Sequence, residues 1–500
     1  MQRNVDALTD ETFDLCIIGG GITGAGAALD AASRGWRVAL IDKGDFASGT
    51  SSVSSKLVHG GLRYLEHGHF GLVREALIER GRLLRNAPHL VEPLPFLLPF
   101  YVGQRVAPWK WRLGLALYDF LAGTENIARS RPLSVSRLHA ISPTLQQTNL
   151  LGGVQYFDAR MDDARLCLAV IRTAAKHGAV VTNYVEAIGF DKVNETLTTL
   201  HAHDKLQAKA LAIRARTFLN ATGPWADALT RLAGDQAGPL LQPTKGAHLI
   251  APDRGHRFAH LLLHPRDHRV FFVIPWNNRT LIGTTDTHID ANTGPDNLAV
   301  TADDTAYLLD AYNQFFSPGL ETTDILGSFV GLRPLIRSKS GEPSDLTREF
   351  RLQRAASGLF TSLGGKYTTY RHMAETIIDG IGKSLGKRRR CKTAELRLAG
   401  TPIDDDWQTF LARTVLQFET EFAIAPDTSR HLIQRYGTDA LAVVQRATQL
   451  TAGLQRVHPD EPDLLGERVW QAEEEMAIHA DDFLLRRSRI GMVRKVDFSP

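Results

Sequence analysis

The sequence predicts an α/β protein in three parts: a discontinuous domain built on a parallel sheet, a β-rich domain inserted into it, and an all-helical C-terminal domain. Three observations predict this fold class. A strand, a glycine turn, a helix and a second strand open the chain, strand-like segments recur at long intervals, and from about residue 400 the apolar residues follow helical spacing. A length of 500 residues is too great for one core and agrees with two to three domains.

The opening unit carries a nucleotide-binding pattern. An apolar strand at 15–18 runs into Gly19-x-Gly21-x-x-Gly24 and a helix of small residues, and the next strand ends in Asp42. In a Rossmann-like unit the first glycine permits the tight turn, the second lets a pyrophosphate approach the backbone, and the third lets helix and strand pack closely. The helix N-terminus attracts phosphates, and the acid accepts from a ribose hydroxyl. The unit therefore predicts a bound dinucleotide, either NAD or FAD.

The other strands of this sheet are scattered along the chain. Strand-like segments at 179–185, 213–220 and 358–363 must join the opening unit if the nucleotide pattern is genuine. Segments of other character separate them, including strands at 270–274 and 280–283, so the cofactor domain is discontinuous. The predicted boundaries are 10–85, 150–225 and 330–385 for the cofactor domain, 86–149 and 226–329 for the inserted cap domain, and 400–500 for the helical domain.

Periodicity supplies the remaining elements. Residues 211–219 alternate as one strand. Apolar residues at helical spacing predict helices at 72–85, 162–177, 368–381, 404–422, 429–436, 440–450 and 466–489.

Composition excludes several classes of protein. A net charge of +3, from 58 basic and 55 acidic residues, argues against bulk nucleic-acid binding. No apolar run reaches the roughly 18 residues needed to cross a bilayer, and segment 1–12 has no hydrophobic stretch typical of a secretory signal. Cys16, Cys167 and Cys391 share no metal-ligand spacing. We therefore expect a protein of the reducing cytoplasm without a metal site.

Candidate chemistry lies in three clusters that follow a run of small hydroxyl residues at 49–56, here called the serine loop. The first cluster places His59 beside two glycines, an arginine and a tyrosine. The second holds Arg333 ahead of a proline, and the third is a Gly-Gly-Lys sequence ending at Lys366 before a helix. A helix preceded by this sequence can bind an anion, although Walker A spacing is absent. For the first cluster, a structural histidine with a salt-bridged arginine is an equal alternative.

At these residues the chain resembles the FAD-dependent glycerol-3-phosphate dehydrogenases of aerobic, respiratory metabolism, densely over about 10–380 and more loosely beyond. The strings that carry the resemblance are Thr50-Ser51-Ser52-x-Ser54-Ser55-Lys56-Leu57-x-His59-Gly60-Gly61-Leu62-Arg63-Tyr64-Leu65-Glu66, Ala87-Pro88-His89, Asp162-Asp163-Ala164-Arg165-Leu166, Asn220-Ala221-Thr222-Gly223-Pro224-Trp225, Ile274-Pro275-Trp276, Ile282-Gly283-Thr284-Thr285-Asp286, Gly331-x-Arg333-Pro334-Leu335 and Gly364-Gly365-Lys366-x-Thr368-Thr369-Tyr370-Arg371. The resemblance implies a glutathione-reductase-like flavoprotein that binds FAD rather than NAD. It also implies oxidation of sn-glycerol 3-phosphate to dihydroxyacetone phosphate by hydride transfer from C2 to flavin N5.

The resemblance further implies which residues form the site. Those implied to hold the cofactor are Gly19, Gly20, Gly21, Ile22, Thr23, Gly24, Asp42, Lys43, Thr50, Ser51, Ser52, Ser55, Lys56, Leu57, Val185, Thr222, Gly223, Gly365, Lys366 and Thr368. Those implied to hold the substrate are Arg63, Tyr64, Arg333, Lys366 and Thr368. A phosphate dianion calls for cationic donors, and arginine adds bidentate geometry. We take His59 as the acceptor of the C2 hydroxyl proton and Arg333 as the stabiliser of the developing alkoxide.

The electron acceptor divides this family. Soluble oxidases carry a longer insertion between the Arg-Pro-Leu and Gly-Gly-Lys strings, whereas 32 residues separate Arg333 from Lys366 here, which favours a quinone-reducing dehydrogenase. A membrane quinone requires monotopic contact with the bilayer surface. The best candidate is 96–121, with aromatic rings beside cations at 109–112; a helix that packs its apolar face on the protein is the alternative. We expect a cytoplasmic protein that is peripheral on the inner face of the cell membrane.

Alternative functions stay open at this point. One is an oxygen-using glycerol-3-phosphate oxidase, another is a non-catalytic flavin-binding protein, and a third is an NAD-dependent dehydrogenase without a flavin spectrum. The oligomeric state, with a homodimer as one option, is not set by the sequence. The helical domain, whose last predicted helix ends in Leu485-Arg486-Arg487-Ser488, receives no chemistry.

Overall fold

The computed structural model describes residues 1–66, 68–236, 238–289, 294–337 and 350–496. Parts of the predicted domain ranges lie outside the described residues: 67 and 338–349 of the cofactor domain, 237 and 290–293 of the cap domain, and 497–500 of the helical domain. The strands are β1 Leu15–Ile18, β2 Val38–Ile41, β3 Leu57–Val58, β4 Val91–Tyr101, β5 Arg131–Leu133, β6 Leu150–Met161, β7 Val180–Thr182, β8 Val185–Val193, β9 Thr196–Asp204, β10 Lys209–Arg214, β11 Phe218–Asn220, β12 Thr244–Pro252, β13 Ala259–Leu263, β14 Val270–Trp276, β15 Arg279–Gly283, β16 Thr287–His288, β17 Gly327–Arg333, β18 Phe350–Arg354 and β19 Phe360–Gly364. The helices are α1 Ala7–Asp10, α2 Ile22–Ser33, α3 Phe70–Asn86, α4 Pro108–Ala122, α5 Val135–Ile141, α6 Asp163–Lys176, α7 Ala226–Leu232, α8 Ala302–Phe315, α9 Tyr370–Leu385, α10 Trp407–Phe422, α11 Pro426–Tyr436, α12 Ala440–Thr448 and α13 Glu467–Glu475.

The domain predicted to bind the cofactor, called the cofactor domain below, is built on a six-stranded sheet in the order β18-β19-β11-β1-β2-β7. Five strands are parallel, and β18 is an antiparallel edge strand. The scattered segments that were predicted to join β1 and β2 therefore do so, as β7, β11 and β19. Alanine-rich α2 packs closely against α6 and α9 because its small side chains leave room for both. The predicted α/β fold class is confirmed.

The strand predicted at 211–219 is divided in the structure. Its first part, β10, pairs with β9 in a three-stranded antiparallel sheet that also contains β8, and its second part, β11, pairs with β1 in the main sheet. The chain crosses between the two sheets at 215–217. Alternation alone did not reveal this crossing, because Leu211 and Ile213 of β10 and Phe218 of β11 belong to the same buried apolar cluster.

The cap domain is a ten-stranded sheet in the order β16-β12-β15-β14-β13-β4-β6-β3, with β17 beside β12 and β5 beside β6. The strands predicted at 270–274 and 280–283 are present as β14 and β15. Strand β6 begins at the predicted boundary of 150 but pairs with β4 along most of its length, from Val91↔Met161 to Phe100↔Gly152. Hydrogen bonding thus joins residues 150–161 to the cap sheet rather than to the cofactor sheet.

The C-terminal part is helical, with α10 to α12 packed around Phe418, Leu432 and Val443. The single helix predicted at 466–489 is wrong: α13 ends at Glu475, and a short π-helical turn, Asp482–Arg487, follows. The carboxylate of Asp482 accepts the backbone N–H groups of residues 478 and 479, which fixes a separate turn. Among the described residues, no helix combines the length and apolar character needed to cross a membrane.

Candidate active site

A cavity of about 590 Å³ lies between the two large sheets. One wall is formed where β1, β2, β11 and β19 end, and the other by β12 and β17 of the cap. The carboxyl ends of parallel strands are where α/β sheets bind ligands, because the strand-to-helix turns leave backbone groups facing outward. The cavity is therefore the candidate site.

The glycine turn forms one end of this cavity. Gly19 has φ +111°, and a Cβ there would lie 2.5 Å from the carbonyl oxygen of Ala221. A Cβ at Gly24 would lie 1.9 Å from the Gly19 carbonyl, so helix and turn approach as only glycine allows. Helix α2 begins directly after Gly21, and no side chain caps its first turn from that position. Its N–H groups thus face the cavity end, where a phosphate would be stabilised.

The carboxylate of Asp42 fixes this turn from the next strand. It accepts the N–H of Gly20 at 2.6 Å and the N–H of Gly44 at 2.9 Å, and the residue also lines the cavity. Burial raises the pKa of Asp42 to about 6, although the two backbone donors favour the charged form. At neutral pH the group is therefore an acceptor for a hydroxyl in the cavity.

The serine loop runs along the cavity, and all of its residues except Ser52 and Lys56 line it. The hydroxyl of Ser51 accepts the N–H of Ile22 at 2.9 Å, and Thr50 donates to the carbonyl of Leu332 at 2.8 Å. The loop therefore joins the first turn of α2 to strand β17. Lys56 points to the other side: its ammonium is buried 2.7 Å from a carboxylate oxygen of Asp163.

The opposite end of the cavity is rich in cations and aromatic rings. The guanidinium of Arg333 lies 3.0 Å from the Asp286 carboxylate and donates to the Thr284 hydroxyl at 2.9 Å. The ammonium of Lys366 lies 3.6 Å from the centre of the Tyr64 ring. Both cations line the cavity and are held in place by these contacts.

Two histidines line the same cavity. His59 is fixed through its backbone N–H, which donates to the Thr368 hydroxyl at 3.2 Å. His248, on β12, stacks on Phe329 at 4.8 Å, and its Nε2 lies 2.9 Å from the Ser55 hydroxyl. Burial, with smaller effects from the charges of Arg333 and Lys56, lowers the pKa of His248 to about 3. Its imidazole is therefore neutral at physiological pH.

The residues that line the cavity suit a flavin dinucleotide. It joins a glycine turn and an acid at one end to cations and imidazoles at the other, and a glycine-rich backbone forms much of its wall. The positive φ angles of Gly223 (+56°) and Gly365 (+96°) let the backbone approach the cavity from β11 and β19.

Comparison with known proteins agrees with this geometry. A family model described as FAD dependent oxidoreductase matches residues 14–371, and one described as the C-terminal domain of alpha-glycerophosphate oxidase matches 391–497. A glycerol-3-phosphate dehydrogenase of Mycobacterium leprae is 38% identical over 489 residues, which cover 96% of this chain and 82% of that protein. An aerobic glycerol-3-phosphate dehydrogenase of Staphylococcus saprophyticus is 36% identical over 498 residues, covering 96% and 87%.

A solved structure is similar over nearly the whole chain. The glycerol-3-phosphate dehydrogenase from Bacillus halodurans complexed with FAD has a TM-score of 0.82 and 31% sequence identity, covering 98% of this chain and 88% of that one. The chain belongs to the FAD-dependent glycerol-3-phosphate dehydrogenase family. The predicted family and the predicted cofactor, FAD, are both confirmed.

Most of the predicted site residues meet in the cavity of this dehydrogenase. Those that line it are Gly19, Gly21, Ile22, Thr23, Asp42, Lys43, Thr50, Ser51, Ser55, Leu57, His59, Tyr64, Val185, Thr222, Gly223, Arg333, Gly365, Lys366 and Thr368. Gly20, Gly24, Ser52 and Lys56 lie behind the wall, where they hold the turn and the serine loop. Arg63 is exposed on the 3₁₀ turn Leu62–Leu65 and lies outside the lining.

Sequence reasoning missed His248 of the dehydrogenase. It lies in a region for which the sequence predicted several strands and no site residue. One signal was available, because His248 is a titratable residue between Ala247 and Leu249 in an otherwise largely apolar stretch of the strand. Its place opposite Phe329 follows from the pairing of β12 with β17, which the sequence did not give.

Proposed function

We propose that this dehydrogenase oxidises sn-glycerol 3-phosphate to dihydroxyacetone phosphate and passes the electrons to a respiratory quinone. One observation carries the proposal: Arg333 and Lys366 line the same cavity as the glycine turn, with two imidazoles beside them. A compact dianion suits two fixed cations, whereas an amine substrate would be repelled by them. The names of the relatives agree with this substrate.

The two cations would hold the phosphate by different means. Arg333 is oriented by Asp286 and Thr284, so its planar fork is fixed before a phosphate arrives. Lys366, over the Tyr64 ring, supplies a compact positive charge in a partly desolvated place. Together they would orient C2 of the substrate toward the imidazoles. When bound, FAD supplies a two-electron acceptor for the hydride from C2.

The C2 hydroxyl proton needs an acceptor within the cavity. His59 is our first assignment, and His248 is a second candidate because its neutral ring lies beside the Ser55 hydroxyl. The two are distinguished by His59→Asn and His248→Asn, assayed for turnover at equal flavin content. The acceptor is the residue whose replacement lowers kcat by about 100-fold or more. Near-normal turnover of His59→Asn would reject the first assignment.

Contact with the bilayer is proposed for the outer face of α4. Trp109, Leu113 and Phe120 are 63%, 64% and 79% exposed, and their spacing aligns them on one stripe of the helix. Lys110 and Arg112 are exposed beside them. The inner face of the same helix packs on the protein through Trp111, Leu115 and Tyr118. An exposed apolar stripe flanked by cations suits the surface of an anionic membrane.

The decisive experiment for the reaction is anaerobic. The visible flavin spectrum is recorded before and after addition of sn-glycerol 3-phosphate, and then after addition of a quinone analogue. We expect the flavin band to bleach with substrate and to return only with the quinone. Rapid return in air would assign the protein to the oxidases, and a band that does not bleach would reject the substrate and the phosphate site.

The membrane proposal is tested by sedimentation with anionic phospholipid vesicles. Replacing Trp109, Leu113 and Phe120 together by serine should weaken binding by at least about 100-fold, because each large apolar side chain contributes about 1.5 kcal/mol or more on burial. Leu416→Ser is a matched control, since Leu416 is equally exposed but lies on α10 of the helical domain. Equal loss from both variants, or no loss from the triple variant, would reject α4 as the contact.

A further inference from the structure

The C-terminal helical domain sends one segment back to the wall of the FAD cavity. This segment, residues 482–492, is here called the arginine segment. It contains Arg486, Arg487 and Arg489 and consists of the turn Asp482–Arg487 and a 3₁₀ turn, Ile490–Met492. Arginines 487 and 489 are almost fully buried, which is rare for this residue type unless it is paired. Each of them has an acidic partner on the cofactor domain, in addition to contacts within the helical domain.

Arg489 contacts the back of the serine loop. Its Nη1 donates to the carbonyl of Ser52 at 3.1 Å, and its Nη2 lies 3.0 Å from Asp162 and in contact with Asp163. The same Ser52 carbonyl also accepts from the ammonium of Lys56. One guanidinium from the helical domain thus joins the serine loop to the N-terminal end of α6.

The acid that Arg489 shares with Lys56 is central to the serine loop. The carboxylate of Asp163 accepts the backbone N–H of Ser54 at 3.1 Å and its hydroxyl at 2.7 Å. The neighbouring loop residues Ser51 and Ser55 line the cavity. The loop is therefore fixed from behind by a buried group of charges and faces the cofactor with its other side.

A second contact of the arginine segment reaches the loop after β2. Arg487 binds the buried carboxylate of Asp45 through both Nη atoms, at 2.9 and 3.0 Å, and Arg486 adds a contact at 2.6 Å. Asp45 follows the cavity-lining Asp42 by three residues. The segment therefore contacts two separate loops of the cofactor site, although it lines none of the cavity itself.

Charge balance makes Arg489 a sensitive part of this arrangement. Two cations, Arg489 and Lys56, lie against two acids, Asp162 and Asp163, and most of these groups are buried. Removing one cation leaves a buried carboxylate short of a partner and removes a donor from the Ser52 carbonyl. The serine loop would then shift away from the buried charges and toward the cavity, where its polar groups can bind water.

We propose that Arg489 is a positioning residue for FAD, and that the helical domain thereby forms part of the cofactor site. Arg489 touches neither FAD nor substrate. It acts through Ser52 and Asp163 on the loop that lies along the cofactor, and so it controls FAD affinity rather than the affinity for substrate.

The test compares Arg489→Met, Arg489→Lys and a matched control, Arg494→Met. Arg494 is five residues further along and pairs with Glu461 and Asp460 inside the helical domain. Holoenzyme of each variant is diluted serially at a temperature well below its unfolding transition. The FAD dissociation constant is obtained from the rise in flavin fluorescence, and KM for sn-glycerol 3-phosphate is measured with FAD in excess.

For Arg489→Met we expect the FAD dissociation constant to rise by about tenfold or more, because a buried hydrogen bond to a charged group is worth at least that factor. Arg489→Lys keeps the charge but has one ammonium in place of the two Nη groups that contact Ser52, Asp162 and Asp163, so its dissociation constant should lie between those of wild type and Arg489→Met. KM at saturating FAD should change by less than about twofold in both variants. Arg494→Met should behave as wild type.

Three outcomes would overturn the proposal. The first is wild-type FAD affinity in Arg489→Met, and the second is an equal loss in Arg494→Met, which would indicate a general effect of the helical domain on stability. The third concerns the case in which Arg489→Met does not fold: an FAD dissociation constant of Arg489→Lys equal to that of wild type would then reject the role of Arg489.

Discussion

Removing the hydroxyl of Tyr118 tests how the cavity wall at His59 is held. This hydroxyl accepts the N–H of Gly60 at 2.8 Å and donates to the Asp158 carboxylate at 2.8 and 2.9 Å, and all three residues are buried. Gly60 follows His59 directly, and a Cβ at Gly60 would lie 2.5 Å from the same hydroxyl. Tyr118→Phe therefore removes two hydrogen bonds behind the turn and leaves the ring in place.

The two losses set the expected magnitude. The Gly60 N–H keeps only a contact of 3.4 Å to Asp158, which is too long to replace the lost bond, and a buried unmet donor costs about 1–3 kcal/mol. Asp158 keeps its partner Arg80 at 2.7 Å, but its charged carboxylate loses the hydrogen bond from the Tyr118 hydroxyl. A hydrogen bond to a charged group is worth about 1.5 kcal/mol or more. We expect the free energy of unfolding to fall by about 2–4 kcal/mol. A shifted His59 should lower kcat by about tenfold at unchanged flavin content.

Denaturant unfolding and steady-state turnover with a dye acceptor measure both effects. Tyr156→Phe is the matched control, since Tyr156 is buried in the same aromatic cluster, edge-on to Tyr118 at 6.2 Å between ring centres. Removing the Tyr156 hydroxyl leaves the Tyr118–Gly60 hydrogen bond intact. Equal losses in the two variants, or wild-type stability and turnover in Tyr118→Phe, would refute the reasoning.

Three further predictions follow from contacts in the cavity and the core. Gly24→Ala should abolish FAD retention, because its Cβ would lie 1.9 Å from the Gly19 carbonyl oxygen; a normal flavin band in the purified variant would contradict this. Arg333→Ala should raise KM for sn-glycerol 3-phosphate by about 100-fold, since a bidentate cation is lost, and a change below twofold would exclude it from the phosphate site. The free energy of unfolding should fall as the pH is lowered from about 6.5 to 4, by roughly 1 kcal/mol per pH unit for each buried neutral histidine, because the unfolded chain then binds protons that the folded protein does not. Unfolding midpoints measured across this range check the last prediction, and a flat profile would reject it. The histidines whose pKa burial lowers to about 3, 3 and 4 are His89, His248 and His256.

The local parts of the site could be predicted because each depends on near neighbours. The turn from Gly19 to Gly24 and the acid at Asp42 lie within one β–α–β unit, so their spacing alone defined their geometry. The scattered strands of the cofactor sheet followed from the requirement that this unit be completed. Family resemblance supplied the proposed substrate residues Arg333 and Lys366, which do line one cavity.

The remainder depends on contacts between distant segments or on the direction of single side chains. His248 belongs to the site only because β12 pairs with β17 and faces the serine loop. Arg63 and Tyr64 are adjacent in sequence, yet the 3₁₀ turn directs one to solvent and the other to the cavity. The helix predicted at 466–489 failed because the Asp482 carboxylate binds backbone N–H groups, which competes with continuous helix.

The contacts of Arg489 also bear on the order in which this chain assembles. Ser52 and Asp163 precede Arg489 by 437 and 326 residues. Contacts between such distant residues carry a large loop-closure entropy and form late, whereas β1, α2 and β2 are close in sequence and can associate early. During synthesis, the sheet of the cofactor domain can therefore exist before the serine loop has its final support. On the proposed role of Arg489, secure capture of the flavin would therefore belong to the last stage of folding, after the C-terminal segment has reached its place.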